Sequence, residues 1–321
     1  MYVRKSLKKG AALALLLILT LTACSQSASP AKTPADVKGE EVAGKTSFTF
    51  TDTKGERKLE RVPVHIATTV TYLTDHMISL GLQPTSTVKS QNEDFPLYLK
   101  PFLGNVDIIG EQGKVQIEKL LSLSPDLIVT DTNSANIYEQ YSKIAPTALL
   151  DNGYNAANWE EAFLATGKAF GRVDKAQQVI ADYQAKKKQA IAQVAARAKG
   201  KTVMVLRVRN DVRYYGDADY NWLYDEFGFS RPAVYPVTSK ENHYEILSAE
   251  KLPEIDPDYI LLIKDNKELF NGLKELTLWK NMKAVRSSQV YEISSDSWFG
   301  GYGPHAAQSM LDDLVRLFGS K

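Results

Sequence analysis

Cysteine is almost absent from this chain, with one residue in 321, at position 24. A single cysteine excludes an internal disulfide framework. Histidine is nearly as scarce: the four residues (65, 76, 243 and 305) show no ligand-like spacing. A direct zinc carrier would have to gather three of them through tertiary structure alone. No Gly-x-Ser-x-Gly, His-Glu-x-x-His, phosphate loop or dinucleotide fingerprint occurs, so no enzyme motif marks a reactive centre. An excess of positive charge is also missing. The chain carries 39 basic and 38 acidic residues; setting aside Arg4, Lys5, Lys8 and Lys9 leaves 35 against 38, a net charge of −3. That balance argues against a nucleic-acid partner.

Those four cations precede an apolar run, Ala11–Ala23, which is too short to span a bilayer comfortably. Residues 1–23 therefore read as a secretory signal peptide. Its end, Leu21-Thr22-Ala23-Cys24, resembles the bacterial lipobox. The resemblance implies that Cys24 is lipid-modified and becomes the mature N-terminus, holding the protein at the extracytoplasmic face of the cell membrane. Residues 24–46, rich in Ser, Ala, Pro, Lys and Glu without apolar periodicity, read as a flexible tether.

The folded part repeats itself. E-K-L-L-S-L-S-P-D-L-I-V (Glu118–Val129) returns as E-K-L-P-E-I-D-P-D-Y-I-L (Glu250–Leu261), with Glu, Lys, Leu, Pro, Asp and Ile in the same places 132 residues on. Each copy reads as a helix end, a Pro-Asp turn and a short apolar strand. Two lobes of similar build follow, each presenting one carboxylate at the start of an equivalent helix. Strand and helix signals alternate through both halves, which predicts an α/β fold of two Rossmann-like lobes, the first with a largely parallel sheet. The first lobe spans 47–172 and the second 200–321. Between them, 173–199 has helical spacing, and about 26 residues at ~1.5 Å each make a rod roughly 40 Å long. Such a rod bridges two lobes and leaves a ligand cleft between them.

Ligands meet open α/β lobes at the carboxyl ends of strands. There the second lobe carries Arg207 and Arg209, two residues apart and hence on one face of a strand. Their guanidinium forks suit a multi-oxygen anionic guest, with Tyr214 and Tyr215 beside them. The loop Ser297–His305 adds Trp298, Phe299 and Tyr302 among three glycines, an expected aromatic wall. Lys89 and Lys114 stand near strand ends of the first lobe as weaker candidates.

Taken together, these features resemble the siderophore-binding lipoproteins of bacterial ABC iron importers, a helix-bridged class of solute-binding proteins. Three stretches carry the resemblance: T-D-T-K-G-E-R-K-L-E-R-V-P-V-H-I-A (Thr51–Ala67), the E-K-L-x-x-x-x-P-D unit and W-F-G-G-Y-G-P-H-A-A (Trp298–Ala307). His65 departs from the Arg or Lys usual before that strand. The resemblance implies capture of a ferric siderophore without chemistry on it, no cofactor of the protein's own, a monomer, and delivery to the transmembrane permease. It implies that Glu118 and Glu250 dock on permease arginines. It also implies that Arg207 and Arg209, in a strand similar to those of hydroxamate and citrate-hydroxamate binders, contact the ligand. A haem or cobalamin carrier of the same fold, an extracellular enzyme and a lipid-anchored adhesion module remain as alternatives.

Overall fold

Phe48 and Phe50 turn inward and Thr49 and Thr51 outward, as alternation over Phe48–Asp52 (β1) requires of a half-buried strand. The computed structural model describes residues 47–90, 95–151, 157–239 and 241–319, all within one compact unit. The signal segment, Cys24 and the tether lie outside the described residues. Gly55–Leu59 (β2) pairs antiparallel with β1. The carboxylate of Asp52 closes the turn by accepting from Lys54 N and fastens the hairpin to the first lobe by accepting from Leu149 N.

The first sheet has six strands: Ile66–Thr68 (β3), Pro84–Lys89 (β4), Asp107–Glu111 (β5), Lys114–Val115 (β6), Leu127–Asp131 (β7) and Thr147–Leu150 (β8). Their order is β6-β5-β4-β3-β7-β8, parallel except for β6. The second sheet uses Val203–Val208 (β9), Val212–Tyr215 (β10), Tyr244–Ile246 (β11), Tyr259–Lys264 (β12) and Val290–Glu292 (β13), in the order β11-β10-β9-β12-β13. Here β9, β12 and β13 pair parallel, while β10 runs against both of its neighbours, β9 and β11. The second lobe is therefore mixed rather than largely parallel, because Asn210-Asp211 turns the chain straight back as a hairpin.

The internal repeat is a physical one. In each copy the residue before the proline sits in the left-handed region, Ser124 at φ 47° and Asp256 at φ 33°. The aspartate after the proline then clamps the start of the neighbouring central strand. Asp126 accepts from the backbone of Val64 and His65, ahead of β3, and from Arg61. Asp258 accepts from the backbone and hydroxyl of Thr202, ahead of β9, and pairs with Lys201 and Lys283.

A 26-residue helix, Val173–Ala198, connects the lobes. Ala176, Ala190, Val194 and Ala198 are buried along it, with Val179, Ile180, Tyr183 and Ile191 half-buried. It packs against the helix Trp159–Ala169 and against the closing helix Pro304–Phe318. A side chain at Gly167 would lie 2.7 Å from the Ala176 Cβ, so this crossing needs the glycine. The fold is thus two α/β lobes joined by one long helix.

Burial alone would raise the Asp258 pKa, but the Lys283 ammonium and the Thr202 and Lys201 donors outweigh it and hold it at about 2. A depressed carboxylate stabilises the fold above its unfolded pKa of about 3.9, and that stability is lost as pH falls through the folded value. Asp258→Ala should cost roughly 1–3 kcal/mol at neutral pH. In urea unfolding the gap to the parent protein should narrow below pH ~4 and close near pH ~2. A gap independent of pH would overturn the clamp.

Candidate cleft between the lobes

The β9–β10 hairpin sets the chemistry of the second lobe. Its register places Arg213 directly opposite Arg207 and Tyr215 opposite Val205, so Arg207, Arg213 and Tyr215 share one face. Tyr244 pairs with Tyr215 on β11 and adds its ring to that face. Two like charges directly opposite would repel, but each carries its own carboxylate. Arg207 Nε and Nη2 bond Asp265 Oδ2 at 2.7 and 2.5 Å, in a pair about one-tenth exposed. Arg213 holds Asp211 at 2.6 and 3.2 Å and lies over the Tyr244 ring at 4.1 Å. Phe299 covers the Arg207 guanidinium at 3.6 Å.

Arg209 stands one residue past the strand, in the bend to β10, half-buried. Alternation along β9 therefore does not pair it with Arg207; the cross-strand partner is Arg213. Residue spacing within a strand missed Arg213, although folding R-V-R-N-D-V-R about Asn210 brings it opposite Arg207. Trp298, expected as part of the wall, is fully buried instead. Its indole donates to Asp313 at 2.9 Å, its carbonyl accepts from Tyr220, and Tyr220 and Trp222 cover its ring. The half-buried Phe299 and Tyr302 take the places nearer the cleft. Lys89 ends β4 and pairs with Glu111 at 3.5 Å, while Lys114 is exposed on β6 opposite the same glutamate.

The first lobe reaches this loop through the helix Thr71–Ser79 and through Phe102, whose ring lies 4.0 Å from that of His305. Asp75, fully buried, accepts from the backbone of His305 and Ala306 and from His305 Nδ1 at 2.6 Å, so it caps the closing helix from the opposite lobe. Only glycine fits at 303, since a Cβ there would sit 2.6 Å from Asp75 Oδ2. Next to it, His76 Nε2 lies 2.7 Å from the Tyr302 carbonyl oxygen. That oxygen only accepts, so Nε2 carries the proton and Nδ1 accepts from the Thr166 hydroxyl at 2.8 Å. Burial keeps the ring neutral, with its pKa pushed down to about 4. The sequence held no signal for this pair beyond two adjacent polar residues inside an apolar helix.

Four buried polar atoms facing this junction have no hydrogen-bond partner among the described residues: Arg207 Nη1 and the hydroxyls of Tyr215, Ser297 and Tyr98. Burial raises the Tyr215 pKa, and the neighbouring Arg207 and Arg213 pull against that rise. Tyr98, also raised by burial, comes from the first lobe and feels Asp75, Asp296 and Tyr302. Tyr72, beneath Tyr302, donates to Asp131 at 3.1 Å. Among the described residues no three His, Cys, Asp or Glu side chains converge to hold a metal ion, and no helix is long and apolar enough to cross a membrane.

Residues 66–297 match the family described as periplasmic binding protein. The probable siderophore-binding lipoprotein YfiY of Bacillus subtilis (strain 168) is 28% identical over 95% of this chain and 95% of its own length. The Fe(3+)-citrate-binding protein YfmC of the same organism is 25% identical over 85% and 86%. Staphylococcus aureus SirA complexed with staphyloferrin B superposes with a TM-score of 0.66 at 23% identity, covering 84% of this chain and 97% of that one, a likeness of fold.

An unfolded histidine titrates near pH ~6.5, so as pH falls the unfolded chain takes up a proton before buried His76 does. The stability tied to His76 is intact above pH ~6.5 and declines toward pH ~4, by up to ~3 kcal/mol. His76→Gln, which keeps an N–H toward Tyr302, should flatten that part of the stability curve in urea unfolding. An unchanged slope would show that His76 is not the group responsible.

Proposed function

The chain belongs to the periplasmic binding protein family, and from that premise we propose that it captures a ferric siderophore in the cleft between its lobes and delivers it to an ABC permease. The observation that carries this reading is the set of unpartnered buried atoms, Arg207 Nη1 and the Tyr98, Tyr215 and Ser297 hydroxyls. A polar atom left buried without a partner costs roughly 1–3 kcal/mol, and an oxygen-rich guest among the aromatic rings of Tyr72, Tyr302 and Phe299 supplies what they lack. The family and its named relatives are binding proteins, so the cleft holds its guest without converting it. Iron arrives as cargo already wrapped in siderophore oxygens and needs no metal ligands from the chain.

Delivery uses the repeated unit. Glu118 is the second residue of the short helix Ile117–Ser122, and Glu250 the second residue of the 3-10 turn Ala249–Lys251; both are exposed. One carboxylate per lobe at matching places suits a permease that presents a cation to each. Lipid on Cys24, with residues 24–46 as tether, keeps the monomer within reach of that permease at the extracytoplasmic face of the membrane.

Arg207→Ala should weaken binding of a ferric siderophore by at least about tenfold. Intrinsic fluorescence titration reads this, and an unchanged Kd would remove Arg207 from the site. Glu118→Ala combined with Glu250→Ala should leave the Kd unchanged and reduce cellular uptake of radiolabelled ferric siderophore; normal uptake would overturn the docking role.

A further inference from the structure

The two arginines on the face shared by β9 and β10 are already paired. Arg207 carries Asp265 and Arg213 carries Asp211, each through two guanidinium nitrogens. A third carboxylate, Asp219, is buried on the helix Asp217–Asp225, with His243 Nδ1 at 3.1 Å. It is close enough to the Tyr302 and Tyr220 hydroxyls to raise both of their pKa values. Across the cleft Lys89 has Glu111 at 3.5 Å.

We infer that this cleft selects ferric complexes of low net charge, neutral or carrying one charge of either sign, over triply negative ones. The inference rests on the siderophore reading above and narrows it to a charge class. Of the two forks that the sequence suggested for an anionic guest, Arg207 is occupied by Asp265, and Arg209 stands past the strand, off this face; Arg213, which lies opposite Arg207 instead, is occupied by Asp211. What Arg207 still offers is Nη1, whose two N–H bonds have no partner among the described residues. The remaining unpartnered atoms are three neutral hydroxyls, able to donate or accept.

A paired guanidinium and carboxylate present a dipole, whose field fades faster with distance than that of a free cation. A guest with three negative charges would leave water for a face whose two guanidinium groups are already paired, and would also meet Asp219. A neutral complex loses little hydration on entering. It gains hydroxyl and N–H donors for its surface oxygens, and the faces of Tyr302 and Phe299 for its apolar arms.

The test titrates the full-length chain with three ferric complexes: an uncharged trihydroxamate, a singly negative citrate-dihydroxamate and a triply negative tricatecholate. Each is measured at about 20 mM and about 500 mM salt, which brackets strong and weak screening. The expected result is tight binding of the first two, a Kd that changes less than about threefold between the salts, and a tricatecholate at least about tenfold weaker. Asp211→Asn, at a partly exposed carboxylate, should improve the tricatecholate by about tenfold relative to the trihydroxamate. Asp265→Asn provides a second variant with the same expected direction. A tricatecholate that binds most tightly, or a Kd that rises steeply with salt, overturns the charge selection while leaving siderophore capture standing. Failure of every ferric complex to bind removes siderophore capture itself, and the charge selection with it.

Discussion

One carboxylate in each lobe, following a proline, grips the backbone where the neighbouring central strand begins. Asp126 holds the start of β3 and Asp258 the start of β9. The register of the central pair, β3 with β7 and β9 with β12, follows from that grip. Register in turn decides which residues end the strands together, and so what the cleft contains. The left-handed residue before each proline, Ser124 and Asp256, turns the preceding helix into line for the same contact. The clamp lies at the amino ends of the strands and the cleft at their carboxyl ends. Each sheet is thereby fastened on the side away from its ligand.

Much of this was legible in the residues. The repeat at a spacing of 132 corresponds to a repeated backbone conformation and a repeated carboxylate contact, and the connecting helix, read as 26 residues, spans Val173–Ala198. These features are local: a Pro-Asp turn or a helical apolar stripe is encoded within a dozen residues. What escaped reading is non-local. Arg213 lies opposite Arg207 only because the chain reverses at Asn210-Asp211, and strand spacing favoured Arg209 instead. Trp298 looked like part of a wall because it stands in a loop with three glycines, yet Asp313, fifteen residues on, draws its indole inward. Asp75 and His76 find their partners more than two hundred residues away, at Tyr302 to Ala306. No window of sequence contains both ends of such contacts.

The chemistry of the cleft also differs from the picture of two free cations. Buried arginines are tolerated where carboxylates and aromatic faces accompany them. Here Asp265 and Phe299 clasp Arg207, and Asp211 and Tyr244 clasp Arg213, its partner in place of Arg209. In the proposed function such a surface orients a guest through directed N–H and O–H groups rather than through bulk attraction.

The cap that Asp75 places on the closing helix has a mechanical meaning. That helix follows the second lobe in the chain, but its first turn is gripped by the first lobe. The lobes are therefore joined along the helix Val173–Ala198 and again at the loop before the closing helix, where Asp75 and His76 hold 302–306, Phe102 lies on the His305 ring, and Ser90 and Leu97 reach Asp296. A lobe fastened along a rod and again at several points of one loop shifts only when those points give way together.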